Sequence, residues 1–188
     1  EESIEVEEEA LNLIAQKADG AMRDALSLFD LIVTFSGKHV TYRSTIDNLH
    51  ILDYDYYFRI TEALFNEDTS NTLLLFDEIL KKGFDGHNFI VGLSSHFRDL
   101  MVCKDNATIA LLEVSDSVKL RYQEQSNAIP LSFLLTALNI ASQCDIQYKA
   151  SKNQRLHVEL TLIKMAHLNA AISLASTGTE SDSSKKKA

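Results

Sequence analysis

Turn-forming residues are scarce in this chain. Its 188 residues include 6 glycines and 1 proline, where average usage gives about 13 and about 9. Glycine and proline are the strongest local breaks in regular structure, so the sequence is committed to long helices joined by few turns. The periodicity agrees. Apolar residues recur at helical spacing over Val6–Ala18, Ala21–Ser36, Tyr42–His50, Tyr54–Phe65, Asp68–Lys82, His87–Cys103, Ala107–Glu113, Asp116–Ser126, Pro130–Ala150 and Gln154–Ser173. Asp19-Gly20, Gly37 and Gly83 stand where these runs stop, and Pro130 stands at a start, where its missing N–H costs nothing. No alternating strand pattern and no internal repeat is present, so the expected class is all-α.

The second run should bury Met22, Ala25, Leu26, Phe29, Ile32 and Val33. Composition excludes several functions. Six of the negative charges behind the net −9 belong to Glu1, Glu2, Glu5, Glu7, Glu8 and Glu9, and the remainder forms no basic field to seize nucleic acid. Cys103 and Cys144 lie far apart in apolar helical surroundings, which suits a reducing, cytoplasmic setting rather than a disulfide framework. The longest greasy stretch, Leu131 to Ala141, is interrupted by Ser132, Thr136 and Asn139 and is too short to span a bilayer. The chain opens without methionine inside a helix-like pattern, as an excised part of a larger protein would.

The expected organisation is a small helical module over 1–52, a longer helical section over 53–175, and a Ser-, Thr- and Lys-rich tail over 176–188 with too little apolar surface to fold.

The richest chemistry lies on the second helix, where Arg23, Ser27, Asp30 and Thr34 fall on one polar face. Arg23 sits in the first turn, where the helix dipole disfavours a cation by about 0.3–1 kcal/mol, so an anion docking nearby would complete the site. A guanidinium is a permanent charge with a donor fork suited to phosphate oxygens. The spacing equally allows a surface arginine paired locally with Asp24, Asp19 or Ser27, and such pairs are common and weak.

These residues carry a resemblance. Asp19-Gly-Ala-Met-Arg-Asp-Ala-Leu-Ser27, followed by Phe29-Asp30, closely resembles the sensor-2 helix in the lid domain of the DNA polymerase III gamma/tau family, the ATPase motors of the bacterial clamp loader. Lys149-Ala-Ser-Lys-Asn-Gln-Arg155 and Arg155-Leu-His-Val-Glu-Leu-Thr-Leu-Ile-Lys-Met165 look like the last helix of that family's collar domain. Gly83-Phe-Asp-Gly-His-Asn-Phe-Ile90 and Phe97-Arg-Asp-Leu100 are similar to the collar's middle section.

The resemblance implies a partial three-helix AAA+ lid followed by a helical-bundle collar. It implies that Arg23 is the sensor-2 arginine, reaching ATP with Mg held by a preceding nucleotide-binding domain, and that Asp24 and Ser27 support the helix. It further implies a bacterial, cytoplasmic protein whose partners are other clamp-loader subunits (delta, delta prime and further gamma/tau copies), with the sliding clamp and primed DNA reached through the full complex. The 188 residues contain no Gly-x-x-x-x-Gly-Lys-Ser/Thr loop. The expectation for this piece alone is therefore no hydrolysis, no catalytic residue, no cofactor and no metal of its own. Another AAA+ motor with lid and collar, or a helical scaffold without a nucleotide link, would share parts of the pattern.

Other features have plainer readings. The last helix carries two apolar stripes, Leu156, Leu160, Ile163 and Leu174 beside Val158, Leu162, Met165 and Ile172, which either a neighbouring subunit or its own domain could cover. Arg155 and Glu159 are spaced to pair. The aromatic run Tyr54, Tyr56, Tyr57 and Phe58 is flanked by Asp53 and Asp55, which favours core packing over base stacking. Lys149, Lys152 and Arg155 form a small basic group that suits a solvated helix end as well as a phosphate. His87, His96, His157 and His167 lack the spacing of metal ligands.

Overall fold

The computed structural model describes residues 4–112 and 114–171. The helices are α1 (Glu8–Lys17), α2 (Met22–Ser36), α3 (Tyr42–Leu49), α4 (Tyr54–Phe65), α5 (Thr69–Lys81), α6 (Gly86–Val102), α7 (Asp116–Ala128), α8 (Leu131–Tyr148) and α9 (Gln154–Ala166). The class is all-α, as the scarcity of turn residues requires. Three local details differ from expectation. The run over Ala107–Glu113 forms only a 3-10 turn at Ile109–Leu111. Pro130 is the residue before α8 rather than within its first turn. A two-residue parallel pair joins β1 (Glu5–Val6) to β2 (His39–Val40), too short for any periodicity to announce. Ile172, Leu174 and the 176–188 tail lie outside the described residues.

Two compact units form. The first comprises, among the described residues, 4–53 together with 102–112 and 114–124. In it α1, α2 and α3 pack around Ala10, Ile14, Ile32 and Val40, with Ala25, Leu28, Phe29 and Val33 against them. The β pair ties the chain start to the α2–α3 connection: the Glu5 N–H donates to the Lys38 carbonyl at 2.8 Å and the Glu7 N–H to the Val40 carbonyl at 3.0 Å. The Glu7 carboxylate then accepts the Tyr42 N–H at 2.6 Å, placing an anion on the positive end of α3. Thr41 and Ser44 complete a reciprocal capping box there. Within the same unit the Ser115 hydroxyl donates to Glu9 Oε1 at 3.3 Å, and Ser117 donates to the same oxygen. Residues 102–124 group with this unit although they lie 49 or more positions beyond its first segment. Only contacts distant in sequence define that grouping.

The second unit holds, among the described residues, 54–101 and 125–171. Its core is aromatic and aliphatic: Phe76, Phe89, Phe97 and Phe133 are fully enclosed, with Ile60, Leu64, Leu93 and Leu100. Side-chain caps fix where its helices begin, since Asp68 accepts the Asn71 N–H at 3.0 Å before α5 and Asn153 the Leu156 N–H at 3.0 Å before α9. The buried imidazole of His96 is satisfied by Gln125 Oε1 at 3.0 Å, and the Gln125 amide donates to the Phe58 carbonyl at 2.8 Å. Burying that polar chain is inexpensive because its members are paired. The aromatic run of α4 is core: Tyr57 stacks on Phe89 and His96, and Phe58 meets His96 edge-on.

Candidate functional site

The chain turns from α1 into α2 through two successive left-handed residues, Asp19 (φ 47°) and Gly20 (φ 78°), and Gly20 supplies the second at little steric cost. Ala21 occupies the N-cap and offers no side-chain acceptor, so the first-turn N–H groups of α2 point outward uncapped by a side chain. Arg23 stands in that turn. It is exposed, as are Ser27, Asp30 and Thr34, so the polar face read from the spacing exists. The hydroxyls of Ser27 and Thr34 turn back to the Arg23 and Asp30 carbonyls at 2.9 and 2.8 Å, leaving the guanidinium untouched. Among the described residues Arg23 makes no ion pair or side-chain hydrogen bond. Other arginines do: Arg43 meets Asp47 at 3.2 Å and Arg98 meets Asp99 at 2.8 Å. The local pairing with Asp24, Asp19 or Ser27 that the spacing allowed is not formed.

The apolar stripe of α2 needs correction. Met22 and Leu26 are not core; they are 74% and 58% exposed. The buried seam runs instead through Ala25, Leu28, Phe29 and Ile32, and Phe35 on the far flank is 70% exposed. In a bundle of three short helices one side of α2 can be covered, and the two apolar flanks beside the polar face stay in water. Arg23 therefore lies in a face bordered by large apolar side chains, the composition of a surface that closes against a partner. Sequence periodicity merges the flank with the seam, because Met22 and Leu26 are one turn from residues that really are buried.

The collar-like unit presents a second surface. Val158, Leu162 and Met165 are fully buried, whereas Leu156 and Leu160 are each 47% exposed, so these two residues of the Leu156–Leu160 stripe of α9 are only half covered within the chain. Nearby, Arg155 donates to Asp77 of α5 at 2.9 Å and to Glu159 at 2.7 Å, tying α9 to α5. Asn169 donates to the Phe65 carbonyl at the end of α4 at 2.6 Å, which holds the segment after α9 against that helix. On α5, Leu74 is 69% exposed. The charge of Arg155 is taken up by two carboxylates, which leaves Lys149 and Lys152 as the exposed basic residues of that helix end. His87 pairs with Asp145 at 2.6 Å and His157 with the Cys144 carbonyl at 3.3 Å. Among the described residues no three His, Cys, Asp or Glu side chains converge as a metal site, and no single helix is long and apolar enough to cross a membrane.

Comparison with known proteins places these surfaces in a family. Residues 1–38 match the family described as the DNA polymerase III clamp loader subunit, ATPase lid domain, and residues 44–176 match domain III of the DNA polymerase III subunits gamma and tau. The chain belongs to the gamma/tau clamp-loader family. It carries that family's lid and domain III, and the two matches part between residues 38 and 44, ahead of the compact-unit edge at Asp53. It is 29% identical to the DNA polymerase III subunit tau of Bacillus subtilis, over 90% of this chain and 31% of that protein. The DNA polymerase III subunit gamma of Buchnera aphidicola from Acyrthosiphon pisum is 25% identical, over 87% of this chain and 45% of its own length. Protein STICHEL-like 2 of Arabidopsis thaliana is 24% identical over 91% of this chain and 19% of its length. The chain thus spans less than half of each of these relatives. The Bacillus subtilis DNA clamp loader delta protein shares the fold, with a TM-score of 0.54 at 18% identity, over 88% of this chain and 52% of that one.

Proposed function

We propose that this chain is the coupling and assembly part of a bacterial, cytoplasmic clamp-loader ATPase subunit. Arg23 acts as the sensor-2 arginine, contacting a phosphate of ATP held by a nucleotide-binding domain in the full-length parent, so that the lid follows nucleotide state. The exposed Leu156 and Leu160 stripe packs against neighbouring collars in a pentamer of gamma/tau, delta and delta prime subunits, which opens the sliding clamp and loads it on primed DNA. The observation that carries the reading is the exposed Arg23 guanidinium, without an ion pair among the described residues, in an uncapped first turn between apolar flanks. Its chemistry fits a phosphate. One arginine supplies one charge-assisted contact, so Mg and the remaining phosphate contacts belong to the parent's other domain, and no hydrolytic step is assigned to this chain.

In the full-length parent, Arg23→Ala is expected to lower ATP-dependent clamp loading at least about tenfold, the loss of a charge-assisted contact worth about 1.5–3 kcal/mol. The same substitution in the 188-residue chain should leave the melting temperature nearly unchanged, because the residue is exposed and unpaired. Loading at the unsubstituted rate would overturn the role of Arg23.

A further inference from the structure

Within the first unit, Glu9, Asn12 and Gln16 share one face of α1, and Asp19 follows just past the helix end. Glu9 is gripped by the hydroxyls of Ser115 and Ser117. One turn beyond that grip the two segments stand apart, and a cavity of about 420 Å³ opens between α1 and the stretch carrying Leu112, Val114 and Lys119. That volume lies within the range of small-molecule sites. Gly20 also lines the cavity, and a Cβ placed on it would meet nothing within 4 Å.

The lining is chemically divided. Ala15, Leu112 and Val114 supply an aliphatic wall, and Asn12 and Gln16 supply primary amides, each able to donate and accept. One carboxylate, Asp19, and one ammonium, Lys119, complete it. Among the described residues the Asp19 carboxylate and the Asn12 amide make no side-chain hydrogen bond or ion pair. Lys119 meets Asp116 at 3.2 Å, but the Asp116 side chain is 97% exposed, and a pair of that kind gives way at little cost. The two lining charges cancel, so the cavity is matched neither to a lone anion nor to a lone cation. A ligand carrying both charges satisfies both groups, and an aliphatic side chain on it would cover the apolar wall.

We propose that this cavity binds a small aliphatic zwitterion, an α-amino acid or a dipeptide. Its ammonium donates to the Asp19 carboxylate, and its carboxylate accepts from the Lys119 ammonium. The site uses neither Arg23 nor a nucleotide, so it stands independently of the clamp-loader reading.

The test is calorimetric titration of the 188-residue chain with leucine, leucyl-leucine, leucinamide and N-acetyl-leucine, the last two each lacking one charge. At least one zwitterion is expected to bind saturably with a Kd of about 1 mM or lower, and at least about tenfold more tightly than either single-charge analogue. The tighter of leucine and leucyl-leucine sets the length of the ligand. Lys119→Met should erase the preference over leucinamide, and Asp19→Asn the preference over N-acetyl-leucine, whereas a merely structural role would weaken all four ligands together. Ala15→Phe, at an exposed position, fills the space and should abolish binding. Thermal melts check that each variant folds. Absence of saturable binding by either zwitterion up to about 10 mM, analogues that bind as tightly, or preferences that survive the substitutions would each overturn the proposal.

Discussion

Gly92 shows how one missing Cβ sets a helix crossing. Mid-helix glycine costs about 1 kcal/mol relative to alanine, yet a Cβ here would stand 2.5 Å from Tyr57 Cζ and closer still to its hydroxyl oxygen. The glycine lets the ring of Tyr57 lie across α6, parallel to Phe89 at 6.2 Å between centroids. Burial pushes the Tyr57 hydroxyl well above the ordinary phenol range and keeps it neutral. Gly92→Ala is therefore expected to destabilise by about 1–3 kcal/mol, through overpacking that outweighs the gain in helix propensity. A denaturant titration reads the loss. Tyr57→Phe in that background should recover little, since the ring carbon remains in the way. At this scale the exposed polar face around Arg23 was legible from the spacing of its neighbours, because a helical face repeats locally. Gly92 was not, because the atom it avoids belongs to another helix.

Between elements, α5 and α9 are joined by a carboxylate held between two cations. Asp77 accepts from Lys81 at 2.7 Å and from Arg155 at 2.9 Å. The Lys81 bond first, and Arg155 second, hold its carboxyl below the usual range. The sign follows: a group whose folded-state value is depressed contributes stability above its unfolded value, about 3.9, and loses it as the pH falls through the lower folded value. The melting temperature should thus drop on acidification below about pH 4, and Asp77→Asn should flatten that limb while lowering the neutral-pH plateau slightly. An acid limb identical in the variant would assign it to other carboxylates. The period of α9 announced two apolar stripes, and the structure assigns them: Val158, Leu162 and Met165 face inward, Leu156 and Leu160 outward. On α2 the same kind of reading set the buried seam one step off, since an apolar flank and an apolar core look alike until the neighbouring helices are in place.

At the scale of the molecule the two units differ in how much they bury. In the first unit α1, α2 and α3 meet at Ala10, Ile14, Ile32 and Val40, a small cluster in which each side chain matters. Ile32 is completely buried. Ile32→Ala is expected to cost about 2–5 kcal/mol, and the cost should appear locally. Amide hydrogen exchange should accelerate over α1, α2 and α3 and much less over α4, α5 and α9. Uniform acceleration across both units would mean that they unfold as one. The grouping of 102–124 with the first unit could not be read from the sequence, because it rests on contacts such as Ser115 with Glu9, 106 residues apart.

By itself the sequence determined the helical class, most element boundaries, the polar face of α2 bearing Arg23, and the family. Those follow from local chemistry: turn residues break helices, side-chain caps start them, and a motif is a run of neighbours. Tertiary structure alone decided which apolar stripe is covered, that Arg23 meets no carboxylate among the described residues, and where 102–124 groups. Each of those is an outcome of competition among distant surfaces for a limited amount of burial, and no window along the chain contains the competitors.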